Sequence, residues 1–337
     1  MEMRSATIRV VDRSNVAEVR RAARHHAERL GFKERDRGDC EIVASELATN
    51  IVKHAKDGVV AVTSSTERAH GVVQVVAVDR GPGLADIERC FVDGYSTAGS
   101  PGTGLGAVRR LSSSVDVVSA PEGTVVVAEL RRTVAPSSGE PDGLAAFRIG
   151  AFELAKEGQV VSGDGWAARA VGTAVAVLAC DGLGHGEAAH EATRRALGSF
   201  LEARWTSPKE MLTTIHAALR ATRGAAAAVA LIDPSRSCVT YAGIGNIAAG
   251  LVEEDRTRHL VSMNGIVGNN VYRIKEFEYP WASGSTLVLH TDGISARWPE
   301  TRWAGLWRRH PALIAAAMYR DCGRGNDDVL AVVVVEK

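Results

Sequence analysis

The stretch ACDGLGHG (179–186) sets an aspartate between glycines directly after the apolar run 175–179. A second stretch of the same design lies upstream, where QVVAVDRGPG (74–83) also runs from a strand-like segment into an Asp–Gly turn. Each delivers a carboxylate to a strand end, and its glycines let the backbone approach a ligand closely. Whether the two loops serve one chemistry or two decides how the whole chain is read.

The 337 residues exceed one average domain, so two domains are expected. Formal net charge is zero, which leaves no electrostatic footprint for nucleic acid. The basic run VRRAARHHAER (19–29) reads at helical spacing as a solvated helix face, with His25 and His26 at the surface. The five cysteines are scattered, odd in number and without CxxC spacing, which points to reduced thiols rather than a disulfide frame or zinc site. No signal-length apolar core opens the chain and no run approaches a membrane span, so a cytoplasmic, soluble protein with no membrane partner is expected.

TVAPSSGEPDGLAA (133–146) combines Pro, Ser, Gly and acid without hydrophobic period. It predicts a linker over 133–144 between domains 1–132 and 145–337. In the first, a strand near 7–11 precedes helices near 15–30 and 36–54, with Ser14 or Asn15 able to cap the earlier one. Strands near 59–64 and 72–78, a helix near 104–112 and two closing strands complete a two-layer α/β sandwich. The second half is mostly strands with helices near 187–203, 208–221 and 311–320, which predicts a β-sandwich with helices packed outside. The fold class is α/β, of the α+β kind.

On the second helix lies CEIVASELATNIVKHA (40–55). Val43, Leu47 and Ile51 make an apolar stripe, and Glu46 and Asn50, one turn apart, share a neighbouring face. A carboxylate and an amide stacked this way can accept a proton and ligate a hard cation such as Mg²⁺. Taken alone, the pair reads better as an ordinary polar helix face, because such pairs are common on helices. Asp79, at a strand end, can accept from an exocyclic amine, and Gly81 and Gly83 permit a tight turn. YSTAGSPGTGLGAVRRL (95–111) then supplies a glycine cluster opening a helix, a setting for phosphate. No Walker-type GxxxxGK[ST] is present.

ELATN, then DRGPG, then GTGLG in this order resembles the ATP-binding motifs of the GHKL fold, and most of all the RsbT-type switch-protein serine kinases of bacterial stress signalling. The resemblance covers nearly all of residues 5–132. It implies Glu46 as base toward the acceptor hydroxyl, Asn50 on Mg²⁺ and Asp79 on adenine. Gly81 and Gly83 would shape the adenine pocket, and Gly102, Gly104, Leu105 and Gly106 would belong to the ATP lid. The same fold serves histidine kinases, but the segment around His25 and His26 is too short for a phosphoacceptor domain.

In the second half, acidic residues recur at strand ends and turns: SGDG (Asp164), CDGLGHG (Asp181), HTDGIS (Asp292) and GNDDV (Asp327, Asp328). Each Asp–Gly by itself is ordinary turn chemistry. Several carboxylates projecting from different strand ends can instead surround hard divalent ions. The set, with GIGN between, resembles the metal-dependent PPM protein phosphatases of the SpoIIE/RsbX branch over about 145–336. The resemblance implies two Mn²⁺ or Mg²⁺ ions. Asp181 would bridge them, Gly182 would give its carbonyl, and Asp164, Asp292 and Asp327 would complete the shell. Leu330 stands where the family often has Thr or Ser, and the arginine that grips substrate phosphate in eukaryotic members has no evident counterpart. Phosphate recognition would then rest on metals and backbone. His185 is either a proton donor to the leaving hydroxyl or, as glycine turns favour, a polar loop residue.

The two loops are thus expected to do opposite work, one helping to place a phosphate on a protein and the other to remove it. The resemblance implies STAS-domain antagonist proteins as substrates, with a downstream phosphatase or sigma-regulatory protein as a further partner. The rival expectation is a binding module that holds ATP without transfer, only the phosphatase being active.

Overall fold

The computed structural model describes residues 4–55, 57–67, 70–84, 86–91, 104–134, 142–254, 256–271, 273–299, 303 and 305–337. The chain divides into two compact units, with the break between residues 140 and 141.

The first unit contains β1 (Arg4–Val10), α1 (Arg13–Arg29), α2 (Glu34–His54), β2 (Gly58–Glu67) and β3 (His70–Asp79). A short α3 (Ile87–Cys90), α4 (Gly104–Leu111), β4 (Ser114–Ala120) and β5 (Gly123–Thr133) follow. The strands form one antiparallel sheet in the order β1-β2-β3-β5-β4. Helix α1 starts two residues before its predicted position because Asp12, not Ser14 or Asn15, is the cap. Asp12 accepts from the Ser14 N–H and the Asn15 side chain closes the box, an arrangement that stabilises by about 0.5–2 kcal/mol.

The stripe of α2 packs as its period requires. Val43, Leu47 and Ile51 are buried against Val60, Val62, Val73 and Val75 of the sheet and Val19 and Ala23 of α1, each large side chain stabilising by about 1.5–3 kcal/mol. His26 departs from expectation. It is buried on the sheet-facing side of α1, its Nδ1 2.7 Å from the Ser64 hydroxyl, and burial lowers its pKa to about 4. The basic run therefore has one neutral, inward-facing imidazole among its solvated cations.

The second unit holds α5 (Asp142–Ala145), β6 (Phe147–Leu154), β7 (Asp164–Val171), β8 (Ala174–Gly182), α6 (Glu187–Glu202), α7 (Pro208–Ala218) and β9 (Ala225–Asp233). It continues through β10 (Cys238–Ile244), β11 (Ala248–Glu253), β12 (Arg256–His259), β13 (Phe277–Pro280), β14 (Thr286–His290), α8 (Pro311–Cys322) and β15 (Val329–Glu336). Two five-stranded antiparallel sheets result, in the orders β13-β10-β9-β8-β7 and β12-β11-β14-β15-β6. Strands β14 and β15 are buried along almost their whole length, as strands covered on both faces must be. Helices α6 and α7 pack Phe200, Met211, Leu212 and Ile215 onto β8 and β9, while α8 lies on β6 and β15. Both ends of the predicted linker carry regular structure, since β5 runs to Thr133 and α5 occupies its last residues.

The cysteines are free thiols, Cys40, Cys180 and Cys322 being buried. Among the described residues no helix is long and apolar enough to cross a membrane.

Candidate active sites

Helix α2 carries Glu46 and Asn50 half-buried on the face next to its apolar stripe. The first residue of α4 lies against both. A Cβ on Gly104 would stand 2.7 Å from Glu46 Oε2 and 3.7 Å from Asn50 Oδ1. The glycine brings the N-terminal end of α4 to the carboxylate and the amide, which is where N–H groups suited to an anion emerge. Leu105 packs against the core and Gly106 is buried, so these two hold α4 in place rather than line an opening. Gly102 lies outside the described residues, as does most of the glycine-rich segment before it.

Asp79 ends β3. Its Oδ1 accepts from the N–H of Gly81 at 2.8 Å and of Thr124 at 3.3 Å. The turn after it is pinned to the β4–β5 hairpin, because Leu84 N–H donates to the Ser119 hydroxyl at 2.7 Å, and that hydroxyl lies 3.0 Å from Thr124 Oγ1. Gly83 needs to be glycine on two counts, a φ of +77° and a backbone so close that a Cβ would run into the Ala120 carbonyl. Gly81 has no such φ and sits against Asp79 and Ala55. Ser119, Thr124 and Gly123 had no local signal in the sequence, because Thr124 and Gly123 meet Asp79, and Ser119 meets Leu84 and Thr124, only through strand pairing.

In the second unit, β8 ends at Asp181 and Gly182, and β7 begins at Asp164, the residue paired with Asp181 across the ladder. A cavity of about 600 Å³ opens beside them, walled by Asp181, His185, Asn246, Asn264, Asp292 and Asp327. Burial, followed by repulsion from Asp292 and Asp327, pushes the Asp181 carboxyl up to about 7. The Asn246 amide donates to Asp292 Oδ2 at 2.8 Å and also bonds Asp181.

Asp164 is not in the cavity wall. It is buried behind Asp181, accepts from the Thr291 hydroxyl at 2.6 Å, and is held well above the usual carboxylate range by burial and then by Asp181. The adjacent pair 327–328 divides its labour. Asp327 faces the cavity, whereas the buried Asp328 accepts from the backbone N–H of Lys156 at 2.7 Å and of Gly163 at 2.9 Å. Gly182 is required by packing, since a Cβ there would run into the Ala189 carbonyl on α6.

The carboxylate oxygens of Asp181, Asp292 and Asp327, with the amides of Asn246 and Asn264 beside them, suit hard divalent ions. The carboxylates stand around the cavity, and among the described residues no three His, Cys, Asp or Glu side chains are drawn close enough to hold an ion as they stand.

Comparison with known proteins gives each unit its relatives. Residues 10–130 match the histidine kinase-like ATPase domain. Over 122 residues the chain is 34% identical to the serine/threonine-protein kinase RsbT of Bacillus subtilis (strain 168), an alignment spanning 36% of this chain and 92% of RsbT. In this part the chain belongs to the RsbT family. Residues 172–336 match the family of Stage II sporulation protein E (SpoIIE). There the chain is 25% identical over 146 residues to the phosphoserine phosphatase RsbX of the same organism, 43% of this chain and 73% of RsbX. A solved structure described as "The bacterial stressosome: a modular system that has been adapted to control secondary messenger signaling" is 25% identical. It has a TM-score of 0.53 and covers 56% of this chain and 98% of that one.

The RsbT-like domain thus brings Glu46, Asn50 and Gly104 together and sets Asp79 in a separately pinned turn. The SpoIIE-like domain brings Asp181, Asp292 and Asp327 to one cavity and holds Asp164 behind it. Several residues that build the second site were not singled out from sequence. Thr291 donates to Asp164 while its oxygen accepts from Leu330 N–H at 3.0 Å, and the α6 side chains His190 and Thr193 bond the carbonyls of Ser162 and Gly163. Asn246 lay inside the GIGN stretch, but nothing local told that its amide reaches two carboxylates.

Proposed function

We propose that the chain is a cytoplasmic, bifunctional regulator of partner-switching signalling. Its RsbT-like domain phosphorylates Ser or Thr of a STAS-domain antagonist protein with Mg-ATP, and its SpoIIE-like domain hydrolyses phosphoserine or phosphothreonine with two Mn²⁺ or Mg²⁺ ions. The observation that carries this reading is a contrast in acidic placement. One half sets a single carboxylate, Glu46, beside an amide and a glycine-opened helix end, whereas the other sets three carboxylates around an open cavity.

In the kinase half, Asp79 would accept from the adenine amino group, and Asn50 would offer its amide oxygen to the Mg²⁺ that accompanies ATP. Glu46 takes the proton of the acceptor hydroxyl as its oxygen bonds the γ-phosphorus. The bond from that phosphorus to the β–γ bridging oxygen breaks and ADP leaves. In the phosphatase half, Asp181, Asp292, Asp327 and the Gly182 carbonyl would hold the divalent ions, with Asp164 supporting Asp181 from behind. Such ions lower the pKa of a bound water and neutralise phosphate charge. Asn246 orients Asp292 and Asp181, and Thr291 fixes Asp164.

The competing reading is an ATP-gated binding module whose only active half is the phosphatase. The placement of Glu46 speaks for transfer, because holding a nucleotide needs no base. Incubation with γ-labelled Mg-ATP and candidate STAS proteins, with and without Mn²⁺, tests both halves. Label is expected to enter the STAS protein, and its later release is expected to require Mn²⁺ and stop on chelation. Nucleotide binding with no transfer to any such protein would establish the binding module instead.

A further inference from the structure

The DGLGHG loop meets a cation that its own sequence does not supply. Arg223 lies in the turn between α7 and β9, and its guanidinium reaches the loop: a Cβ on Gly184 would stand 3.2 Å from Arg223 Nη1. Gly184 lines the acidic cavity and has a φ of +89°, so a side chain there would be strained and would crowd the guanidinium.

The backbone around Arg223 is firmly held. The Thr222 hydroxyl donates to the Leu219 carbonyl at 2.7 Å and accepts from Gly224 N–H at 3.0 Å. Leu183 N–H donates to the Gly224 carbonyl at 3.0 Å, tying this turn to the 181–186 loop. The Arg223 side chain is exposed, and among the described residues no carboxylate pairs with it. A fixed backbone thus presents an unpaired guanidinium beside a cavity walled by Asp181, Asp292 and Asp327.

We infer that Arg223 receives the phosphate of a phosphoprotein substrate at the Gly184 wall of this cavity. The inference rests on the phosphatase reading of the cavity. A phosphate dianion entering it is repelled by the three carboxylates of the wall, and a guanidinium at the Gly184 edge offers it the opposite charge. The planar guanidinium fork matches two oxygens at once, which a lysine, as a point charge, does not. Phosphate recognition therefore does not rest on metals and backbone alone.

The test uses the full chain with Mn²⁺, p-nitrophenyl phosphate as substrate and inorganic phosphate as inhibitor. R223A is expected to raise KM and the phosphate inhibition constant by about 10–100-fold, with a smaller effect on kcat, as loss of a charged hydrogen bond requires. R223K should fall between, and Mn²⁺ affinity by calorimetry should match wild type. R324A serves as the control. Arg324, three residues before Asp327, is also exposed, its backbone N–H donating to the Gly293 carbonyl at 2.8 Å, and its loss should leave KM unchanged. Wild-type KM and phosphate inhibition in R223A, or a loss confined to R324A, would overturn the assignment. If the wild-type chain turns over nothing, the phosphatase reading fails, and calorimetric binding of inorganic phosphate to the Mn²⁺-loaded chain decides the point by itself. Weaker binding in R223A then supports the assignment, whereas equal binding, or none in wild type, overturns it.

Discussion

The two acidic sites are built by different means. Glu46 and Asn50 stand one turn apart on a single helix, so the helical period alone puts them on one face, and Gly104 of α4 is brought against them. Asp181, Asn246, Asp292 and Asp327 come from four separate segments, and the registers of two sheets bring them to one cavity. A site on one helix depends on local periodicity and tolerates change elsewhere. A site at strand ends depends on every register that feeds it, because a slip of one residue turns a side chain to the opposite face. The second site accordingly carries supporting bonds behind its carboxylates, from the Thr291 hydroxyl to Asp164 and from the Gly163 and Lys156 N–H groups to Asp328.

The largest expected effect tests the helix-borne site. Glu46→Gln should lower phosphoryl transfer by about 10²–10⁴-fold, the usual cost of losing a general base, while leaving ATP affinity intact by calorimetry. Transfer at the wild-type rate would remove Glu46 from the role proposed for it. Asp181→Asn and Asp292→Asn should each lower phosphatase activity by about 10³-fold, since several kcal/mol of charge stabilisation are lost. Activity that survives excess chelator would show that the cavity does not work through divalent ions.

Asn246→Ala sharpens the contrast between sites, because it removes a support and not a ligand. Mn²⁺ affinity should fall by about 10–100-fold, the range for groups that orient metal ligands, with kinase activity unaffected. An unchanged Mn²⁺ titration would reduce Asn246 to a surface amide. Gly104→Ala is the corresponding probe on the helical side. It should slow transfer, because the added methyl would stand 2.7 Å from Glu46 Oε2 and displace the carboxylate.

The smallest effect is a difference in pH dependence between the units. Burial holds His26 at about 4, below its usual range. As pH falls from 6.5 toward 4, the unfolded chain takes a proton that the folded one refuses, so the first unit loses stability on acidification. Asp181 has the opposite sign. Its carboxyl is raised to about 7, so without metal the second unit loses stability as pH rises from about 4 to 7, the unfolded chain releasing the proton first. Thermal melting in chelator should therefore show a flatter acid limb in His26→Gln and a flatter neutral limb in Asp181→Asn. Parallel curves for wild type and either variant would show that the group does not govern that window.

Much of this was legible in sequence where the signal is local. The stripe Val43, Leu47, Ile51 predicted α2 and its buried face, and the runs into Asp79, Asp181 and Asp292 predicted strand ends bearing carboxylates. The misses share a cause. His26 lies in a basic run whose composition says solvent, but it occupies the face of α1 that meets Ser64 on β2. Asp12 displaced Ser14 and Asn15 as the cap because side-chain geometry, not residue type, chooses among adjacent candidates. Asp164 read like the other acidic turns, whereas pairing with Asp181 and the bond from Thr291 place it behind the cavity.

Sequence by itself determined the local element on which each candidate residue sits, since helix period, strand alternation and glycine turns act over a few neighbouring residues. Only the tertiary structure decided which of them share a site. It separated Asp327 from Asp328, brought the Asn246 amide to Asp292, and set the Arg223 guanidinium beside Gly184. These contacts join segments far apart in the chain, and their positions follow from sheet register and helix packing, which no local pattern of residues encodes.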